Sequence, residues 1–159
     1  MRSILTIVTL AVLPVAGRKL PQAEPEIHLI PKGYVGWVTI AFRAANGEAP
    51  AYDDNAPLYR TPSSGTLITG ATPNVGSSPP WRFFFEDPGA PIVHFDMQSG
   101  EAVGISYMHR GSQQGGQVAC NVEYDQYFVG TRAQLLSAVA RGRERDKTMS
   151  EFFAANYRC

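Results

Sequence analysis

The residues of this 159-residue chain best suited to acid–base or metal chemistry are its three histidines, His28, His94 and His109, and a scatter of carboxylates. His94 and Asp96 lie two apart in a segment that reads as strand, so their side chains point to one face. Such a pair could ligate a metal or act as a general-base dyad, with His109 as a third member. A His-x-Asp pair is common, however, and a competent zinc site needs three or four ligands. The chain contains no His-Glu-x-x-His string and no Cys-x-x-Cys pair. The economical reading of His94, Asp96 and His109 is a polar outer strand face. No metal, cofactor or catalytic residue is therefore assigned.

Other chemistry is equally thin. Gly104-Ile105-Ser106-Tyr107-Met108 begins like a nucleophile elbow but lacks its closing glycine and lies in a strand run. Gly111 to Gly116 lacks the Lys-Ser/Thr pair of a phosphate loop and reads as a flexible turn. Asp53, Asp54 and Asn55 offer oxygens, but not at the spacing of a calcium loop. Tyr34, Trp37, Tyr52, Tyr59 and Trp81 could form an aromatic platform for sugar or peptide, though such residues more often close the ends of a sandwich core. Of these, Tyr34, Trp37, Tyr59 and Trp81 are the candidate binding residues.

Composition narrows the class. Lys plus Arg and Asp plus Glu both number 14, so no net field draws the chain to nucleic acid. The cluster Arg141, Arg143, Arg145 and Lys147 is diluted by Glu144 and Asp146 and reads as a solvated helix face. Arg2 followed by the apolar run Ile4 to Val15 and the small residues Ala16 and Gly17 reads as a signal peptide over residues 1–17. The run is too short for a membrane-crossing helix, for which about 20 residues are needed, and no later run qualifies. Gly17 is followed by Arg18 and not by a lipid-accepting cysteine, so the expected product is released, periplasmic or secreted. In that compartment Cys120 and Cys159 are expected to form a disulfide. It would close a loop of about 40 residues and contribute about 4 kcal/mol on the chain-entropy model.

The elements that must position these residues follow from the punctuation of the sequence. Residues 18–26 form a Pro-containing linker, and 27–159 a single domain. Twelve prolines and 15 glycines separate short aromatic and β-branched runs. Gly36 to Phe42 alternates, with Val38, Ile40 and Phe42 on one face and Trp37, Thr39 and Ala41 on the other. Further strands are expected at Leu58 to Thr61, Thr66 to Thr69, Trp81 to Glu86, Ile92 to Met97, Ala102 to His109 and Gln117 to Tyr124. Asn46-Gly47 marks a tight turn, and Ala71 to Pro80 is a long polar loop. From about residue 131 the period becomes helical, with capping boxes at Thr131/Gln134 and Thr148/Glu151. Leu135, Leu136, Ala138 and Val139 should stripe the first helix, and Met149, Phe152, Phe153 and Tyr157 the second. The fold class is mainly β: a sandwich of seven or eight strands, transthyretin- or immunoglobulin-like, with two C-terminal helices.

The string Ile30-Pro31-Lys32-Gly33-Tyr34-Val35-Gly36-Trp37-Val38 resembles the opening of a bacterial family of exported proteins and lipoproteins classed as a domain of unknown function. The turns Gly47-Glu48-Ala49-Pro50 and Pro62-Ser63-Ser64-Gly65 and the strand Phe83 to Asp87 extend the likeness over roughly residues 27 to 97. The resemblance implies compartment and fold, and supplies no catalytic residues. The expected function is an exported non-catalytic β-domain that binds a protein or cell-envelope ligand through loops such as Ala71 to Pro80. A small hydrolase using His94 and Asp96, or an inhibitor or immunity-type protein, are the alternatives.

Overall fold

The computed structural model describes residues 24–74, 81–86, 93–94, 104–115 and 118–159. The expected signal peptide, most of the expected linker, Asp96 and residues 75–80 of the expected polar loop lie outside them. Among the described residues, nine strands and two helices follow in order: β1 (Glu26–Pro31), β2 (Gly36–Ala41), β3 (Ala51–Asp53), β4 (Ala56–Arg60), β5 (Thr66–Ile68), β6 (Trp81–Glu86), β7 (Val93–His94), β8 (Gly104–Gly115), β9 (Val118–Gly130), α1 (Arg132–Ala140) and α2 (Gly142–Asn156). They form two sheets, β3-β4-β1-β6-β7 and β5-β2-β9-β8. The sandwich with two C-terminal helices is thus the fold. Its pairing is mixed, because β1 runs parallel to both β4 and β6, and β2 runs parallel to β5. Immunoglobulin sheets are antiparallel throughout.

The core lies between the sheets. Ile30, Tyr59 and Phe83 from the first sheet meet Val38, Ile40, Phe42, Ile105, Tyr127 and Val129 from the second. The alternation of β2 is realised as read, with Val38, Ile40 and Phe42 inward and Ala41 outward, where it meets α2. β1 is buried on both faces: Ile27 and Leu29 join Ala56 on one side, and Glu26, His28 and Ile30 face the core on the other.

The opening string has a structural cause. Gly33 at φ 77° turns the chain out of β1, and the Tyr34 hydroxyl then donates to the Trp37 carbonyl oxygen at 2.6 Å. Gly65, at φ 79°, passes directly beneath that contact. A β-carbon there would collide with the Tyr34 hydroxyl and the Trp37 carbonyl oxygen. The glycine of the Pro62-Ser63-Ser64-Gly65 turn is therefore required by the tyrosine of the opening string.

Three local expectations are corrected. Gly111 to Gly115 is strand and not a flexible turn, because β8 continues through it in register with β9, as Gly111 opposite Tyr124 and Gln113 opposite Val122. Thr148 caps no helix: α2 starts at Gly142, and Thr148 falls inside it. The local Thr-x-x-Glu pattern was outweighed by continuation of the helix. In α1 the Thr131/Gln134 capping box forms, but only Ala138 of the expected stripe is buried, while Leu136 and Val139 remain 62% and 48% exposed. Asp54 and Asn55 also gain a definite role. Both adopt positive φ (48° and 63°) between the paired residues Asp53 and Ala56, making the two-residue hairpin that joins β3 to β4.

α2 packs on the outer face of the second sheet through Phe153 and Tyr157, against Ala41, Ala44 and Val122. The Tyr157 hydroxyl donates to the Phe42 carbonyl oxygen. Asn46, read from sequence as a turn residue, also clamps the chain end. Its amide donates to the Asn156 carbonyl oxygen at 2.7 Å, and its side-chain oxygen accepts from the Arg158 backbone N–H at 2.9 Å.

Candidate functional site

Where α1 and α2 lean over the second sheet, they leave a groove of about 590 Å³. Its floor is made by the outward residues of β2 and β9, and Thr39 stands directly opposite Gln126 in that ladder. Period-2 alternation puts both on the helix side, since Val38 and Tyr127 beside them face the core. Gln126 Nε2 donates to Thr39 Oγ1 at 3.0 Å and lies 3.5 Å from Met149 Sδ on α2. Both floor residues are only 4% exposed. The contacts with Thr39 and Met149 both use the amide nitrogen of Gln126.

One wall is aromatic. Trp37 packs edge-to-face on Phe128, with ring centroids 5.3 Å apart, the two residues being opposite each other across β2 and β9. Ser64 and Thr66 add hydroxyls along the β5 side, and Met149 and Phe152 form the facing wall. Arg141, at the junction of the helices, is the only ionisable residue lining the groove among those described, and its guanidinium donates to Ser137 Oγ at 3.1 Å. The arrangement offers a side-chain amide, several hydroxyls and an aromatic wall.

A second polar constellation lies inside the sandwich. Glu26 and His28 are 0% and 2% exposed, and Glu26 Oε2 sits 3.4 Å from His28 Nε2 without hydrogen-bond alignment. His28 Nδ1 is hydrogen-bonded to the Tyr127 hydroxyl at 3.2 Å. The rings of Phe83, Tyr59 and Trp81 surround the imidazole, with centroids 4.9, 5.6 and 6.4 Å away. Burial holds the Tyr127 hydroxyl well above the ordinary tyrosine range. Period-2 alternation in β1 puts both side chains inward, but nothing in that alternation predicts a polar pair there.

The four aromatic candidates do not share a surface. Tyr59 is buried in the core, and Tyr34 and Trp81 pack against it; Trp37 alone lines the groove. Inward register on β4 and β6 explains the burial of Tyr59 and Trp81, which lie beside His28 and Glu26. His94 and His109 lie on β7 and β8, strands of different sheets, and Asp96 is outside the described residues. No group of three or more His, Cys, Asp or Glu among the described residues is placed to hold a metal. No described helix is long and apolar enough to cross a membrane. Gln126 and Thr39 are the residues that sequence reading passed over. Thr39 was legible as outward in β2, but its partner could not be named without the β2–β9 register.

The architecture is that of a mixed β-sandwich with a helix-walled groove on one outer face. The chain belongs to a family of unknown function (DUF6843), whose model matches residues 22–135. The floor of the groove falls within that span, whereas the α2 wall lies beyond it. A solved structure described as "Putative Lipoprotein from Bacillus anthracis" is similar in fold, with a TM-score of 0.60 at 15% identity, covering 83% of this chain and 95% of that one. No curated protein matches the chain.

Proposed function

We propose that this protein is an exported, non-catalytic β-domain that binds a protein or cell-envelope ligand in the groove between the second sheet and the helices. The observation that carries the reading is the groove itself, with the polar pair Gln126 and Thr39 on its floor and Trp37 on its wall. The volume of about 590 Å³ falls within the range of small-ligand sites.

Export rests on the leader pattern of residues 1–17 and supplies the oxidising compartment for a Cys120–Cys159 bridge. Cys159 is not a free thiol, and Cys120 is the one other cysteine of the chain. The bridge would tie the end of α2 to β9, the strand that carries Gln126, and so hold the groove wall to its floor.

The reading is tested by NMR chemical-shift mapping of the mature chain against a defined panel of peptidoglycan fragments and short peptides. Shifts clustered at Trp37, Thr39, Thr66, Gln126 and Met149 support it. Shifts confined to the opposite sheet would contradict it. Cell fractionation with N-terminal sequencing should find a chain starting near Arg18 outside the cytoplasm.

A further inference from the structure

We infer that the ligand of this groove is a neutral, polyhydroxylated molecule, a short glycan segment, laid against Trp37 and hydrogen-bonded to Gln126 and Thr39. The inference rests on the reading of the groove as a binding site and names its ligand chemistry.

The first ground is what the floor withholds. An extended peptide gains affinity chiefly by pairing its main chain with an exposed strand edge. The floor strands β2 and β9 are both interior strands of the order β5-β2-β9-β8, with their ladders already used. From this floor only side chains face the ligand, namely the Thr39 hydroxyl and the Gln126 amide, with the Thr66 hydroxyl of the edge strand β5 at the rim. The second ground is charge. Arg141 is the one ionisable lining residue among those described, and it stands at the helix junction, donating to Ser137, and not at the floor. The described floor offers a ligand a hydroxyl and an amide and no charge.

The third ground is the pairing of surfaces. A sugar ring has an apolar C–H face and a rim of hydroxyls that both donate and accept. Trp37 supplies the broad apolar wall, braced from behind by Phe128. The Gln126 oxygen accepts from a ligand hydroxyl. The Thr39 hydroxyl accepts from Gln126 and retains its own hydrogen for a ligand oxygen. Met149 and Phe152 exclude water on the other side.

The test is calorimetric titration of the mature protein with chitotriose and cellotriose, and in parallel with a neutral extended heptapeptide. At least one sugar is expected to bind. Trp37→Ala should weaken that binding about tenfold, the scale of one lost aromatic contact. Thr66→Val, an isosteric change on an edge strand that preserves β propensity, should weaken it about threefold. Arg60→Gln, an exposed change on the first sheet away from the groove, should leave it within about twofold. Binding of the peptide alone, abolished by the same variants, would overturn the glycan inference and leave the groove standing as a site. Sugar binding unaffected by both Trp37→Ala and Thr66→Val would overturn the assignment to this groove. Absence of binding by sugar and peptide alike would overturn both readings.

Discussion

The Gln126 side chain donates to the Thr39 hydroxyl at 3.0 Å, and the two residues stand directly opposite each other in the β2–β9 ladder. This cross-strand pair is polar on a face otherwise covered by the apolar residues of α2. The Gln126 contacts with Thr39 and Met149 both use its amide nitrogen. A double-mutant cycle of Gln126→Ala and Thr39→Ala in urea unfolding should give a coupling of about 1 kcal/mol. Both single variants should also weaken ligand binding. A coupling near zero would show that the pair is not formed in solution.

Gly65→Ala should be among the most damaging single-methyl additions in the molecule. The position has φ 79°, and the added carbon would strike the Tyr34 hydroxyl and the Trp37 carbonyl oxygen. A loss of about 2–4 kcal/mol is expected from combined strain and overpacking. Tyr34→Phe, which removes the hydroxyl that Gly65 accommodates, should recover part of that loss in the double variant. Thermal unfolding of the four proteins checks this.

Glu26 and His28 form a buried pair within 3.4 Å. Replacing His28 alone by Leu strands the carboxyl and should cost about 3–5 kcal/mol, whereas the double change Glu26→Leu with His28→Leu should cost much less. Denaturant midpoints that fell equally for the single and double variants would contradict this reading of the pair.

Tyr127 gives a pH prediction with a definite sign. Burial raises its hydroxyl above the ordinary value of 10.0 in the folded state. The unfolded chain therefore loses that proton first, and the stabilisation is complete below pH 10 and declines as the pH rises above it. Tyr127→Phe should be somewhat less stable near neutrality, because it loses the hydrogen bond to His28, and should show a shallower loss of stability between about pH 10 and 12. Identical alkaline slopes for the two proteins would exclude Tyr127 as the source.

The parts of the fold legible in the sequence were those governed by local period and turn chemistry. The β2 alternation placed Val38, Ile40 and Phe42 inward, and the apolar spacing of α2 placed Phe153 and Tyr157 on the sheet. Pairing was not legible. Parallel contacts of β1 with β4 and β6 join segments far apart in sequence, and nothing in Glu26-Ile27-His28-Leu29 names its neighbours. The same gap hid the candidate site. Tyr59 and Trp81 carry the chemistry of a binding platform but fall at inward registers beside His28 and Glu26, while an unremarkable threonine and glutamine meet on the outer face. Gly111 to Gly115 misled for a related reason, since its glycines and polar residues signal a turn locally, yet β9 offers a ladder that incorporates them.

The most direct measurement is a crystal structure of the mature protein grown with chitotriose. The expected result is a sugar ring against Trp37 with a hydroxyl within hydrogen-bond distance of Gln126 Oε1. A ligand bound elsewhere, with the Gln126 oxygen satisfied by a protein group, would contradict the assignment of the groove as the binding site.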